Sequence, residues 1–181
     1  MVLDRKIMMK VFLAQLFLVV STVTIHAQNI EKIIHRETQA LWSDAELIQV
    51  SLDTKVLKSC DELHSGDKFY RIIERENSSL NGYVLSTSAM GRFDAFDYFI
   101  IYKESMEVHL VKVGVYRSSH GSAICSKRWL KQFVGKKTNE INYGKEIDAI
   151  AGATVSANAL VFDIQMLSNH LKSINHLINV E

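Results

Sequence analysis

Between Lys68 and Tyr116 the sequence carries four short runs rich in Tyr, Phe, Ile and Val: Lys68–Glu74, Gly82–Ser88, Asp97–Lys103 and Val108–Tyr116. Gly, Asn, Ser and charged residues separate them. Runs of this length with β-branched and aromatic side chains predict strands, and the short separators predict hairpins between neighbours. In the last run Val111, Val113 and Val115 fall on one face, with Lys112 and Gly114 on the other. Consecutive hairpins give an antiparallel meander, which needs an apolar layer on at least one face.

The stretch after Thr154 supplies such a layer. Ala157, Leu160, Val161, Ile164, Leu167, Leu171 and Ile174 recur at helical spacing. A helix carrying that stripe would lie on the sheet. A shorter amphipathic segment precedes it, with Trp129, Leu130, Phe133 and Val134 on one side. Lys127, Arg128 and Lys131 lie toward the other, and Gly135 suits its C-terminal stop. Before the strands, residues 30–59 read as helical. Ile30, Ile33, Ile34, Ala40 and Leu41 form a broken apolar face packed across the sheet, with Trp42 as a core anchor. Ser43 and Glu46 resemble a capping box that opens a second helical segment running through Leu52. The expected fold is therefore α+β, a single domain with an antiparallel meander and helices on one face.

The N-terminus reads as a targeting segment. Arg5, Lys6 and Lys10 precede an apolar run from Val11 to about Val20, and Ala27 offers a small residue at a cleavage point. Residues 1–27 are expected to be a signal peptide that directs export to the periplasm. The alternative is an uncleaved helix that holds the protein to the membrane. Residues 28–67 would form the N-terminal helical segment and residues 68–181 the main domain. Of 21 Lys and Arg against 20 Asp and Glu, the segment after Ala27 keeps 18 against 19, so no basic excess points to nucleic acid. Cys60 and Cys125 lack metal-site spacing, and could form a disulfide after export or stay as two small buried thiols. The seven histidines are scattered, with no pair on one helix face.

The stretch Asp148-Ala149-Ile150-Ala151-Gly152-Ala153-Thr154-Val155-Ser156 places an accessible hydroxyl at the start of a helix, with small residues before it. Unpaired amides and the positive end of the helix dipole suit such a place to a phosphate. Equally, Thr154 or Ser156 could serve as a plain N-cap. The stretch resembles the attachment motif of the FMN-binding domain family, which includes the flavin-carrying subunits of the sodium-pumping quinone reductase and of Rnf complexes. Gly91 to Tyr98, the Val108–Tyr116 strand, His120-Gly121 and Ser126 to Lys136 are similar to the same family in order and spacing.

The resemblance implies FMN joined to Thr154 through a phosphoester, made from FAD by a separate flavin transferase. It implies cofactor-binding positions at Gly152, Ala153 and Asp148. Ser156 would stand at the same helix end, and His120-Gly121 would form a loop beside the flavin ring. Lys127 or Arg128 would lie near the phosphate or the reduced ring, although a solvated basic face explains both equally well. Ala151 stands where the family commonly has Ser or Thr, and Asp148 lies one residue farther from Gly-Ala-Thr than in the family pattern. The implied role is an electron carrier between membrane-bound or soluble redox partners, rather than a stand-alone catalyst. The alternative is a cofactor-free interaction or structural module of the same fold in a membrane-associated assembly.

Overall fold

The computed structural model describes residue 9, residues 30–50 and residues 66–178, with side chains as far as Leu171 at the C-terminal end. Apart from Met9, the signal-peptide segment lies outside the described residues, as do Cys60 and the expected helix beyond Val50. Five strands run β1 (Ala45–Val50), β2 (Lys68–Glu74), β3 (Leu80–Met90), β4 (Ala95–Lys103) and β5 (Val108–Tyr116). They form one antiparallel sheet in sequence order, so β1 and β5 are its edges. The helices are α1 (residues 30–41), α2 (Lys127–Leu130) and α3 (Thr154–Ile178). The fold is α+β in a single domain. Among the described residues no helix is long and apolar enough to cross a membrane.

The second helical segment expected from Ser43 is instead β1. Its residues pair with β2 from Ala45 opposite Glu74 to Val50 opposite Phe69. Ala-Glu-Leu-Ile-Gln-Val carries helix formers, yet pairing with a neighbouring strand outweighs that weak local preference. The described residues 30–50 are thus one helix followed by a strand of the main sheet. They are continuous with the domain that the sequence suggested would begin at Lys68.

Helices cover both faces rather than one. Alternation along the central strand β4 explains this. Phe96, Tyr98, Ile100 and Tyr102 point into a cluster with α2 and α3, whose Trp129, Leu130, Phe133, Ala157, Leu160 and Ile164 are buried there. Phe99 and Ile101 point the other way and meet Ile30 and Ile34 of α1, with Trp42 packed against them. Every one of these β4 residues is fully buried. A strand buried on both sides reads as a near-continuous apolar run, as this one does.

Two bonds, one buried and one partly buried, fix α3 on the sheet. The Tyr98 hydroxyl donates to Asp163 Oδ2 at 3.2 Å, and the Tyr102 hydroxyl lies 2.7 Å from Ser168 Oγ. Ser168 Oγ in turn donates to the Ile164 carbonyl at 2.6 Å. Both tyrosines are fully buried, and desolvation first of all raises their hydroxyl pKa well above the ordinary 10, so both stay protonated. Since Asp163 and Ser168 follow the order of Tyr98 and Tyr102, α3 runs along β4. Its N-terminus therefore lies where β3 hands over to β4.

On the other face, Lys112 Nζ on β5 donates to Glu37 Oε1 of α1 at 2.8 Å, and Arg36 does the same at 2.8 Å. The Lys112 bond, then that of Arg36, hold the Glu37 carboxyl below its ordinary 4.5. His109 packs against Trp42 with ring centroids 5.6 Å apart, and burial depresses its imidazole below 6.5. Both shifts act in one direction. His109 stays neutral in the fold where the unfolded chain binds a proton, so its contribution is full above 6.5 and declines as pH falls below it. Glu37 contributes fully above 4.5 and less as pH falls further. Stability is therefore expected to drop in two steps on acidification. His109→Phe should remove the upper step, which urea midpoints measured from neutral pH downward will detect.

Candidate functional site

Three connections meet at the N-terminus of α3. The β3–β4 turn brings Arg92, the loop after β5 brings His120 and Gly121, and the approach to α3 brings Gly152 to Ser156. These residues line a cavity of about 310 Å³. Six residues singled out in the sequence thus come together: His120, Gly121, Gly152, Ala153, Thr154 and Ser156.

Backbone geometry accounts for the convergence. Gly121 has φ +87°, and a Cβ there would stand 2.5 Å from the Tyr116 hydroxyl and 3.2 Å from Ser156 Oγ. Only glycine meets both demands. Tyr116 closes the arrangement, its hydroxyl donating to the His120 carbonyl at 2.7 Å and lying 3.0 Å from Ser156 Oγ. Strand end, loop and helix are thereby tied at one oxygen. Gly152 has φ +76° with open space around it, so its requirement is conformational alone.

The start of α3 sorts the two hydroxyls. Ala157 N–H donates to the Ala153 carbonyl at 2.9 Å, which makes Ala153 the N-cap and Thr154 the first helical residue. Neither Thr154 nor Ser156 is the cap. Ser156 is 2 % exposed and its hydroxyl is engaged with Tyr116. Thr154 is exposed at the cavity wall. An alanine cap offers no side-chain acceptor, so the N–H groups of Thr154, Val155 and Ser156 lack the capping partner that Ser, Asp or Asn would give.

The electrostatics are one-signed. Among the described residues, Arg92 and His120 are the ionisable ones that line the cavity, and no carboxylate joins them. Arg92 sits over the Phe93 ring at 5.3 Å, and Phe93 meets the His120 ring edge-on at 5.9 Å. Phe93 is 58 % exposed. A guanidinium, a helix N-terminus and a nearby aromatic pair can together hold a phosphate joined to a planar ring.

The remaining candidates lie elsewhere. Asp148 acts through its backbone: its carbonyl accepts from Trp129 Nε1 and its N–H donates to Gln132 Oε1, both at 2.8 Å. It fixes the approach to α3 but does not line the cavity. Lys127 faces a separate groove beside β5, and Arg128 is exposed on α2 without lining the cavity. The short α2 continues as a 3₁₀ turn over Lys131–Phe133. This leaves Val134 exposed, although the helical pattern placed it with the buried side. Sequence reasoning passed over Arg92 and Tyr116 as site residues. The exposed apolar Phe93 between Arg92 and Asp94 was the available signal for the first.

No family model and no curated protein matches this sequence.

Two substitutions test this construction. Gly121→Ala should destabilise the fold by about 1–3 kcal/mol, through backbone strain and the clash with Tyr116. Ala153→Ser should stabilise it by about 1 kcal/mol by supplying the missing cap. Thermal or urea unfolding measures both.

Proposed function

We propose that the protein is an exported FMN carrier, with the flavin joined through a phosphoester to Thr154 Oγ, and that it passes electrons between redox partners. The observation that carries the reading is the cavity itself. An exposed threonine hydroxyl stands at an alanine-capped helix start, in one cavity with Arg92 and His120, and no carboxylate among the described residues lines it. The residues present fit the phosphate of FMN on electrostatic and hydrogen-bonding grounds.

Attachment balances as a transfer from FAD. A flavin transferase would deprotonate Thr154 Oγ, the oxygen would attack the FMN phosphorus, the pyrophosphate bond would break, and AMP would leave. Arg92 and the amides of Thr154, Val155 and Ser156 would then bind the phosphodiester oxygens. Phe93 and His120 offer aromatic surface beside the cavity, and Gly121 keeps the loop backbone close. Bound flavin supplies the uptake and release of one or two electrons at its ring. The protein contributes attachment, orientation and charge. A covalent link has clear use outside the cytoplasm, where a dissociated cofactor is not readily replaced.

The test is the intact mass of the exported protein co-expressed with a periplasmic flavin transferase. A gain of one FMN less one water is expected, mapping to the peptide that contains Thr154. Thr154→Ala should remove the added mass and change stability by no more than about 0.5 kcal/mol, because the side chain is exposed. An unmodified wild-type mass, in cells where a control domain is labelled, would overturn covalent attachment. The departure at Ala151 would then favour the cofactor-free interaction module.

A further inference from the structure

β5 is an edge strand, and its outer side is only partly closed. At its start the Val108 N–H donates to the Lys136 carbonyl at 2.9 Å, and the Val108 carbonyl accepts from Gly135 N–H at 2.8 Å. Beyond that point no strand among the described residues pairs with the outer side. Four consecutive residues, Leu110 to Val113, line a groove of about 480 Å³ there. Consecutive residues of a strand point to opposite faces, so a groove that touches all four runs along the edge rather than over one face.

The walls come from the two helix layers. On the α1 side stand Arg36, Glu37 and Lys112; on the α2 side stand Lys127, Leu130, Lys131 and Val134. The charges are strongly unequal. Arg36, Lys112, Lys127 and Lys131 face one carboxylate, Glu37, which Lys112 and Arg36 already engage. Lys127 and Lys131 are exposed, and Val134 is 43 % exposed. An open strand edge with cations on both walls and an apolar strip on one is complementary to an extended chain bearing carboxylates.

We propose that the outer edge of β5 is a docking site for an extended acidic segment of a partner protein, which adds to the sheet as a sixth strand. Backbone bonds to β5 supply the pairing. Alternate side chains of the segment face the two walls, one row toward Arg36 and Lys112, the other toward Lys127 and Lys131. Apolar residues in that second row would lie on Leu130 and Val134. This site is separate from the cavity at Thr154 and does not depend on flavin.

The test uses a fluorescein-labelled peptide of repeated Glu-Glu-Val-Val, which puts carboxylates in both rows, followed by anisotropy, with a Lys-Lys-Val-Val repeat as control. Saturable binding of the acidic peptide alone is expected, weakening as salt rises. The double variant Lys127→Glu/Lys131→Glu should bind about tenfold more weakly or less. Its exposed positions leave the fold intact, which circular dichroism checks. Amide exchange between Leu110 and Val113 should slow on binding. Failure to bind, equal binding of the basic peptide, or no effect of charge reversal would each overturn the proposal. So would exchange protection confined to other strands. Saturable binding of decanoate in place of the peptide would overturn it in favour of a site for small amphipathic anions.

Discussion

The register of α3 on β4 is the constraint on which the site depends. Apolar burial alone would let a long helix slide on a sheet, because one aliphatic contact resembles the next. Tyr98 and Tyr102 remove that freedom. Each brings a hydroxyl into a water-poor layer and must find a partner there, since leaving such a group unpaired costs about 1–3 kcal/mol. Asp163 and Ser168 meet them at one register. Sliding the helix by a turn would orphan both hydroxyls and move Thr154 by about 5 Å. Polar bonds from two core tyrosines thus position a residue at the surface.

The same logic recurs at the cavity, with one oxygen instead of two. The Tyr116 hydroxyl reaches the His120 carbonyl and Ser156 Oγ, joining the end of β5, the loop and the first turn of α3. Gly121 leaves that oxygen its space. Because Ser156 is consumed in this bond, Thr154 is the exposed hydroxyl of the two. Small residues in a helix start ordinarily signal mere convenience. Here they mark where backbone, rather than side chains, faces the opening.

Much of the sheet was legible in the sequence because β2 to β5 combine aromatic and β-branched residues with short polar breaks. β1 was not. Its Ala, Glu, Leu and Gln favour a helix, and Ser43 with Glu46 imitates a helix start, while the pairing that overrides them comes from β2. The second helical layer was hidden for a related reason, since a continuous apolar run in β4 does not say what covers each face. At the site, the Gly152-Ala153-Thr154 stretch and the His120-Gly121 pair stood out through the family resemblance rather than through their own chemistry, since Gly-Ala-Thr is also a common way into a helix. The fold brings both to one cavity. Arg92 looked like any solvated turn residue. Lys127 and Arg128 followed a helical period that the chain abandons after one turn, so their directions could not be taken from spacing.

One short element joins the two surfaces of this protein. Gly121 borders the cavity at Thr154, Cys125 borders the groove beside β5, and the 3₁₀ turn Ser122–Cys125 is all that lies between. At about 2 Å of rise per residue it spans roughly 8 Å. Its buried Ile124 anchors it in the core. The turn is therefore a spacer that keeps the cavity and the groove apart, so each can be filled without the other.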